Sequence, residues 1–95
     1  MRLAQVVGNV VSTIKDQGYA GQKLMIVDFL SEGGGRTGEE AIVFDAAQAG
    51  VGDVVLVTTN GSAASQLLGD RVIADMTICG VVDSVSLDGA VRNYL

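Results

Sequence analysis

The chain has 95 residues and fits one domain, although a domain of this size buries only about two-thirds of its unfolded surface. Hydrophobic residues make up 48% of it, but the aromatic ones are only Tyr19, Phe29, Phe44 and Tyr94. Valine and alanine supply much of the remainder, so large side chains that fill a core are scarce. We therefore expect part of the apolar surface to be buried against other copies of the chain.

Six basic and eleven acidic residues give a net charge of −5. Nucleic-acid binding needs a basic surface that displaces phosphate counterions, and single-strand binding also needs aromatic side chains for stacking. The basic residues here are scattered, and only Arg92 has an aromatic residue, Tyr94, close by in the sequence. We therefore expect no nucleic-acid partner.

The types of residue in the sequence also argue against catalysis. The sequence contains no histidine, which removes Ser–His and Cys–His nucleophile pairs and the metal sites that use histidine. Glu39 and Glu40 are adjacent in an extended stretch, so their side chains point to opposite faces and make a poor acid–base pair. The single cysteine, Cys79, lies among apolar neighbours and is expected to be a buried hydrophobe. We expect no catalytic residue, metal site or cofactor.

Neither a membrane span nor a targeting segment is expected. No stretch approaches the roughly 18 apolar residues that cross a bilayer. The stretch Met1–Gly18 lacks an apolar region followed by a cleavage site. A lone cysteine forms no intramolecular disulfide, which suits a reducing cytosol.

The first half of the chain predicts three strands. Alternating side chains predict a strand over Arg2 to Ile14, with Gly8 marking a bulge. The apolar run Lys23 to Leu30 predicts a second strand that is buried on both sides except at Asp28. The glycine-rich stretch SEGGGRTGEE is expected to be a mobile loop, and Ala41 to Asp45 a short third strand.

The second half predicts two more strands and one short helix. Asp53 to Thr59 is the fourth strand, and SAASQLL is expected to form two helical turns that end at Gly69. Thr77 to Leu87 is the fifth strand, and residues 88–95 are expected to be a C-terminal tail. The fold class is therefore mainly β, a small five-stranded OB-like barrel with one short helix, partly open, in a single domain over residues 1–95.

One glycine motif matches a dinucleotide-binding pattern but lacks the helix that such a site needs. The stretch Gly33–Gly38 fits G-x-G-x-x-G and follows a predicted strand. A dinucleotide site needs a helix directly afterwards, because the N-terminal N–H groups of that helix bind the pyrophosphate. The residues that follow, EEAIVFD, predict a strand instead. The glycines are therefore interpreted as a hairpin loop.

The most distinctive segment is DAAQAGVGDVVLVTTNGSAAS, residues 45–65. It is rich in small side chains, which let backbones approach closely, and this indicates contact with another protein surface rather than chemistry. Together with GNVVSTIKD and VIADMTICGVVDSVSL, this segment resembles the EutN/CcmL family, the pentameric vertex proteins of bacterial microcompartments and carboxysomes. The resemblance covers about Met1 to Leu87. The middle motif is matched by Asp45, Ala49, Gly50, Gly52, Asp53, Val55, Leu56, Val57, Gly61, Ser62 and Ala64.

The resemblance implies a structural shell protein of the bacterial cytoplasm, without catalysis, that assembles into a cyclic pentamer and contacts hexameric shell proteins. In such a ring one face of each subunit meets a different face of the next, so small residues suit the contact. The candidate interface residues are Asp45, Ala49, Gly50, Gly52, Gly61, Ser62, Ala63, Ala64 and Ser65. An oligomeric OB-like ligand-binding module without catalysis remains the alternative, and an enzyme with a carboxylate site is the third.

Three positions depart from the family pattern. Gln48 stands where the family usually has glycine, Ser65 where it often has arginine, and Ala74 where it often has proline. The change at Ser65 removes any ion pair between subunits that an arginine would make. None of the three changes the predicted fold.

Overall fold

A computed structural model describes residues 1–11, 23–59 and 76–94. These residues form seven strands: β1 Arg2–Val10, β2 Lys23–Leu30, β3 Arg36–Asp45, β4 Val54–Thr58, β5 Thr77–Val81, β6 Ser84–Leu87 and β7 Ala90–Asn93. The predicted end of the first strand, Ser12 to Ile14, and the predicted short helix at residues 62–68 lie outside the described residues. Within the described part, no helix is long and apolar enough to span a membrane.

Strands β1 to β5 form a closed barrel in the order β1-β2-β3-β5-β4. All neighbours are antiparallel except β3 and β5, which pair in parallel through Phe44–Thr77 and Asp45–Ile78. The mainly β, five-stranded barrel predicted from the sequence is confirmed, but it is closed rather than partly open. Closure follows from β1, which pairs with β4 through Arg2–Gln5 and with β2 through Ala4–Val10.

The predicted bulge in β1 is confirmed. The pairing of β1 with β2 shifts between Val6 and Gly8, so that Val6 faces Val27 and Gly8 faces Ile26. A bulge bends a strand and increases its twist. β1 can therefore bend around the barrel while it pairs with β4 at one edge and with β2 at the other.

The core is filled mainly by aliphatic side chains of medium size. Alternate positions of the strands point into the barrel, because successive side chains of a strand lie on opposite faces. Phe29 is the one aromatic residue among the buried core residues that the structure describes. The core consists of Ala4, Val6, Met25, Val27, Phe29, Val43, Ala49, Val55, Val57 and Ile78.

Strand β3 begins five residues earlier than the sequence predicted, at Arg36 instead of Ala41. The expected ten-residue mobile loop is therefore reduced to a tight turn, in which Ser31 N–H donates to Gly35 O at 2.9 Å and Gly34 N–H donates to Ser31 O at 2.9 Å. The difference arises from tertiary contacts of Arg36 and Gly38, which tie the start of β3 to the end of β2.

The C-terminal part also differs from the prediction. Residues 77–87 are two strands, β5 and β6, rather than one, and residues 90–93 of the predicted tail pair with β6 as β7. The turn between them has positive φ at Asp88 (51°) and Gly89 (80°), which is the conformation of a type I′ hairpin turn. An Asp-Gly pair between alternating residues is a strong hairpin signal that the sequence reading missed.

Two further strand predictions agree with the structure. β2 has the predicted bounds, and β4 lies within one residue of them at each end. Cys79, expected to be fully buried, is only half-buried on β5, with its thiol 3.6 Å from Leu56 O. The assignment of residues 1–95 to a single domain stays a prediction.

Replacing Phe29 with alanine tests the core. Phe29→Ala removes the aromatic side chain of the core, and such truncations cost about 3–5 kcal/mol in the free energy of unfolding. Urea unfolding at a fixed protein concentration measures this change. Val11→Ala is the control, because Val11 is 97% exposed and its truncation should change stability by less than about 0.5 kcal/mol. Equal midpoints for the two variants would contradict the assignment of Phe29 to the core.

Candidate subunit interface

Asp45 organises the loop that follows β3. Its side chain is buried, and its carboxylate oxygens accept hydrogen bonds from Ala47 N–H and Ala49 N–H, each at 2.9 Å. The first of these bonds closes a local turn. Aspartate favours such turns because its side chain reaches the backbone two residues on. Lys23 adds a hydrogen bond from Nζ to Ala49 O at 2.9 Å and lies 3.5 Å from Oδ2 of Asp45. The carboxylate therefore holds the loop within one subunit.

The second part of this loop is tied to β1. Asp53 Oδ2 accepts a hydrogen bond from Gly50 N–H at 2.8 Å. Gly52 N–H donates to Val6 O at 2.8 Å, and Val6 N–H donates to Asp53 O at 2.9 Å. The stretch from Gly50 to Asp53 is therefore a short turn that hydrogen bonds tie to β1.

Two residues of the loop have a left-handed backbone conformation. Gly52 has φ 97°, which glycine adopts without steric cost. Gln48 has φ 57°, and residues with a side chain seldom adopt this region. The structure thus gives a physical reason why glycine suits position 48, one of the three places where this sequence departs from the family pattern.

The candidate interface residues fall into three groups. Asp45 and Ala49 are buried inside the subunit, where they hold the loop and the core. Gly50 and Gly52 are exposed, on either side of Val51, an exposed apolar residue that the sequence reading did not select. The remaining candidates, Gly61, Ser62, Ala63, Ala64 and Ser65, lie outside the described residues. Only the Gly50–Gly52 tip of the described candidates is thus available to a neighbouring molecule.

Asp28, expected to be the exposed position of β2, is buried. Its Oδ2 accepts a hydrogen bond from Arg36 Nε at 2.8 Å, and its Oδ1 accepts one from Gly38 N–H at 3.0 Å. The hydrogen bond from Arg36 lowers the pKa of Asp28, and the bond from Gly38 N–H acts in the same direction. This carboxylate therefore joins β2 to β3 through its hydrogen bonds.

Glu39 and Glu40 have different neighbours. Glu39 Oε2 accepts a hydrogen bond from Arg2 at 2.8 Å, and this bond lowers the pKa of Glu39. Glu40 pairs in register with Asp28 on β2. In the described ranges, no group of three or more His, Cys, Asp or Glu side chains is placed to hold a metal ion.

Large apolar side chains are exposed at several points of the described surface. Some lie at chain ends or loop tips, as Met1 and Val51 do, but others lie on strands, as Ile42 and Leu87 do. The set comprises Met1, Val11, Ile42, Val51, Val81, Leu87 and Val91. Exposed apolar side chains that cluster are typical of protein contact surfaces.

The Gly50–Gly52 tip gives a matched pair of substitutions. Gly52→Ala places a side chain at φ 97° and should lower the free energy of unfolding by about 1–2 kcal/mol. Gly50→Ala should leave it nearly unchanged, because its new Cβ would lie 3.7 Å from Asp53 Oδ2, an ordinary contact. Urea unfolding measures both. If Gly50→Ala keeps the fold but weakens self-association, the tip belongs to an interface as the sequence predicted.

The Asp28–Arg36 pair predicts a pH dependence. The pKa of Asp28 is lowered in the folded state, so its stabilisation is complete above its ordinary pKa of about 3.9 and is lost as the pH falls below that value. Asp28→Asn should therefore be less stable than the parent chain at pH 7, and the difference should shrink on acidification. Urea midpoints measured from neutral to acidic pH test this, with Glu32→Gln as the exposed control. Parallel curves for the parent chain and Asp28→Asn would contradict it.

Known proteins are similar to this chain over nearly its whole length. The family described as ethanolamine utilisation protein EutN/carboxysome matches residues 1–83. The bacterial microcompartment shell vertex protein EutN of Salmonella typhimurium is 34% identical over 91 residues, which cover 96% of this chain and 92% of that protein.

Solved structures give the same result. The GrpN pentameric microcompartment shell protein from Rhodospirillum rubrum is 37% identical with a TM-score of 0.80, over 92% of this chain and 99% of that one. The carboxysome subunit CcmL is 31% identical with a TM-score of 0.88, over 98% of each chain. The protein described here therefore belongs to the EutN/CcmL family.

Proposed function

We propose that this chain forms a homopentamer that occupies the vertices of a bacterial microcompartment shell and has a structural rather than a catalytic role. The observation that carries the proposal is the near full-length similarity to shell vertex proteins, one of them described as pentameric. These relatives place the protein in the shell of a microcompartment in the bacterial cytoplasm.

The proposed mechanism is geometric. A flat layer of hexagonal subunits does not close, and five-fold units at its corners supply the curvature that closure needs. In a cyclic pentamer one face of each subunit meets a different face of the next, and the rotation between subunits must close the ring. A rigid, closed barrel suits this role, because a fixed angle between neighbours requires a subunit of fixed shape.

The polar groups of the described residues support a structural role. Asp28, Asp45 and Asp53 each hold a turn or a strand end through hydrogen bonds to backbone N–H groups. Glu39 is paired with Arg2. Carboxylates used in this way fix the backbone. The alternative of an OB-like ligand-binding module is not favoured, because the relatives reported above are named as shell proteins.

Two segments that contain candidate interface residues are proposed to lie in the contact between subunits. The exposed tip Gly50–Gly52 and the segment Gly61–Ser65 are proposed to meet a neighbouring subunit through their small side chains. Asp45 and Ala49 contribute indirectly, since they hold the loop that presents the tip. Hexameric shell proteins are proposed as the partners around the outside of the ring.

Native mass spectrometry tests the proposed pentamer. The chain at micromolar concentration should give a dominant species with a mass five times that of the 9.7 kDa subunit. Light scattering on the same sample gives an independent mass. A stable monomer at this concentration, by both methods, would refute the proposed function.

A second measurement tests the place of the pentamer in the shell. Cells that produce the shell proteins without this chain should form elongated or open shells, because hexagonal layers alone contain no corners. Electron microscopy shows the difference, and restoring the gene is the control. Closed, polyhedral shells in its absence would show that this chain does not supply the vertices.

A further inference from the structure

The C-terminal hairpin of β6 and β7 is a unit separate from the barrel. It forms its own two-stranded sheet, and no barrel strand in the described part of the chain pairs with it. The Asp88–Gly89 turn joins its strands at one end. At the other end, Tyr94 N–H donates to Asp83 O at 2.8 Å, beyond the last register pair. Residues 83–94 are therefore one hydrogen-bonded body, which we call the arm.

The arm is exposed along most of its length. Between Ser84 and Asn93, only Val85 and Arg92 are even partly buried. These two residues are paired across the hairpin, so their side chains lie on the same face of it. Because the arm buries so little of its surface, its direction relative to the barrel depends on very few contacts.

The first of these contacts is the chain connection to β5. Val82 N–H donates to Val54 O on β4 at 2.7 Å, which fixes Val82 to the barrel directly before the arm begins. Rotation about the backbone bonds between Val82 and Asp83 would swing the whole arm and leave the hydrogen bonds of the barrel and of the hairpin intact. A second contact is therefore needed to fix the direction of the arm.

Arg92 supplies the second contact. Its Nη2 donates a hydrogen bond at 3.2 Å to Glu32 O, which lies in the turn between β2 and β3 and is 60 positions away in the sequence. Among the residues that the structure describes, this is the one side-chain hydrogen bond between the arm and the barrel. Two separate points of attachment define a direction, so Arg92 determines where the arm points.

Gly34 leaves the space that the guanidinium of Arg92 occupies. A Cβ atom built on Gly34 would lie 3.0 Å from Cζ and 3.4 Å from Cδ of Arg92, and nearer still to Nη1. Real Cβ atoms do not make contacts this close, so a side chain at position 34 and the bound guanidinium exclude each other. Gly34 also has φ 85°, a left-handed conformation that glycine adopts without steric cost.

The turn that receives Arg92 has a fixed shape. Ser31 N–H donates to Gly35 O and Ser31 O accepts from Gly34 N–H, each at 2.9 Å. The start of β3 follows directly and is hydrogen-bonded to β2. Arg92 therefore binds a preformed site, and the arm rather than the turn moves when that bond breaks.

The bond from Arg92 to Glu32 O is single and exposed. A hydrogen bond in contact with water contributes little net free energy, because water replaces either partner. Arginine stays protonated in proteins and the acceptor is a neutral carbonyl, so pH does not control the bond. The closed arrangement therefore exchanges with an open one by motion of this side chain alone.

We infer that Arg92 and Gly34 form a latch for the arm. In the closed state the guanidinium lies against Gly34 and holds the arm beside the β2–β3 turn. In the open state the arm swings about the bonds between Val82 and Asp83 while the barrel keeps its shape. The inference goes beyond the proposed function, because it concerns the conformation of one subunit and does not depend on how many subunits assemble.

The distance between two spin labels tests the latch. One label is attached at Ser86→Cys on the arm and the other at Asn9→Cys on β1, both exposed positions, in a chain that also carries Cys79→Ser. Labelled chain is refolded with an excess of unlabelled chain, so that pulsed electron paramagnetic resonance measures distances within one subunit. The parent chain should give one narrow distance. Arg92→Ala should lose it and give a broad distribution.

Gly34→Ala is the second variant, and it should broaden the distribution in the same way because its methyl group displaces the guanidinium. Combined with Arg92→Ala it should add nothing further, since both substitutions break the same contact. Gly38→Ala is the matched control, because Gly38 has nearly the same φ, 82°, but no atom lies within 4 Å of its Cβ position. It should keep the narrow distance.

A narrow distance in both Arg92→Ala and Gly34→Ala would overturn the latch, and so would a broad distribution in the parent chain. Equal broadening in Gly38→Ala would assign the effect to backbone strain and would also overturn it. Circular dichroism shows whether each variant keeps its strands, and Gly34→Ala alone decides if Arg92→Ala does not fold. Native mass spectrometry of the same samples counts the subunits, so a failure of the proposed pentamer is seen separately.

Discussion

The structure depends on closure of the barrel, which the pairing of β1 with both β2 and β4 completes. β1 pairs with β4 through Arg2–Gln5 and with β2 through Ala4–Val10, and the bulge between Val6 and Gly8 bends it. This shared strand closes the barrel and removes two exposed edges, which otherwise invite unwanted pairing. It also fixes the turn that ends at Asp53, because Val6 exchanges two backbone hydrogen bonds with Gly52 and Asp53. The exposed tip is therefore positioned by the strand that closes the barrel.

Two buried carboxylates fix the backbone at the two ends of β3. Asp28 joins the start of β3 to the end of β2, and Asp45 fixes the loop beyond the end of β3. Both are desolvated, and both are satisfied by backbone N–H groups and by a basic side chain, Arg36 or Lys23. Since an unsatisfied buried charge is costly, such groups restrict the backbone to one arrangement. A shell subunit that must present its surfaces at fixed angles benefits from this restriction.

The apolar surface is distributed in a way that suits assembly. The small core uses aliphatic side chains almost throughout, whereas Leu24, Ile26, Ile42 and Phe44 lie on the outside of the barrel. Outward apolar pairs are consistent with a chain whose burial is completed by its neighbours. The expectation from composition, that an aromatic-poor barrel associates with itself, has a structural counterpart in these outward pairs.

The sequence by itself determined the fold class, the position of β2 and β4, the bulge at Gly8 and the family, because strand alternation and glycine at a bulge are local properties. It did not determine where β3 begins, because Arg36 and Gly38 extend that strand through bonds to Asp28, a residue eight to ten positions away. It also misplaced Asp28, since charge suggests exposure unless a partner is known. The Asp88–Gly89 pair is a local hairpin signal in the sequence, and the prediction of a tail over residues 88–95 was wrong there. Which faces of β2 and β3 lie outside the core was decided only by the tertiary structure, because barrel closure selects which side of each strand becomes the interior.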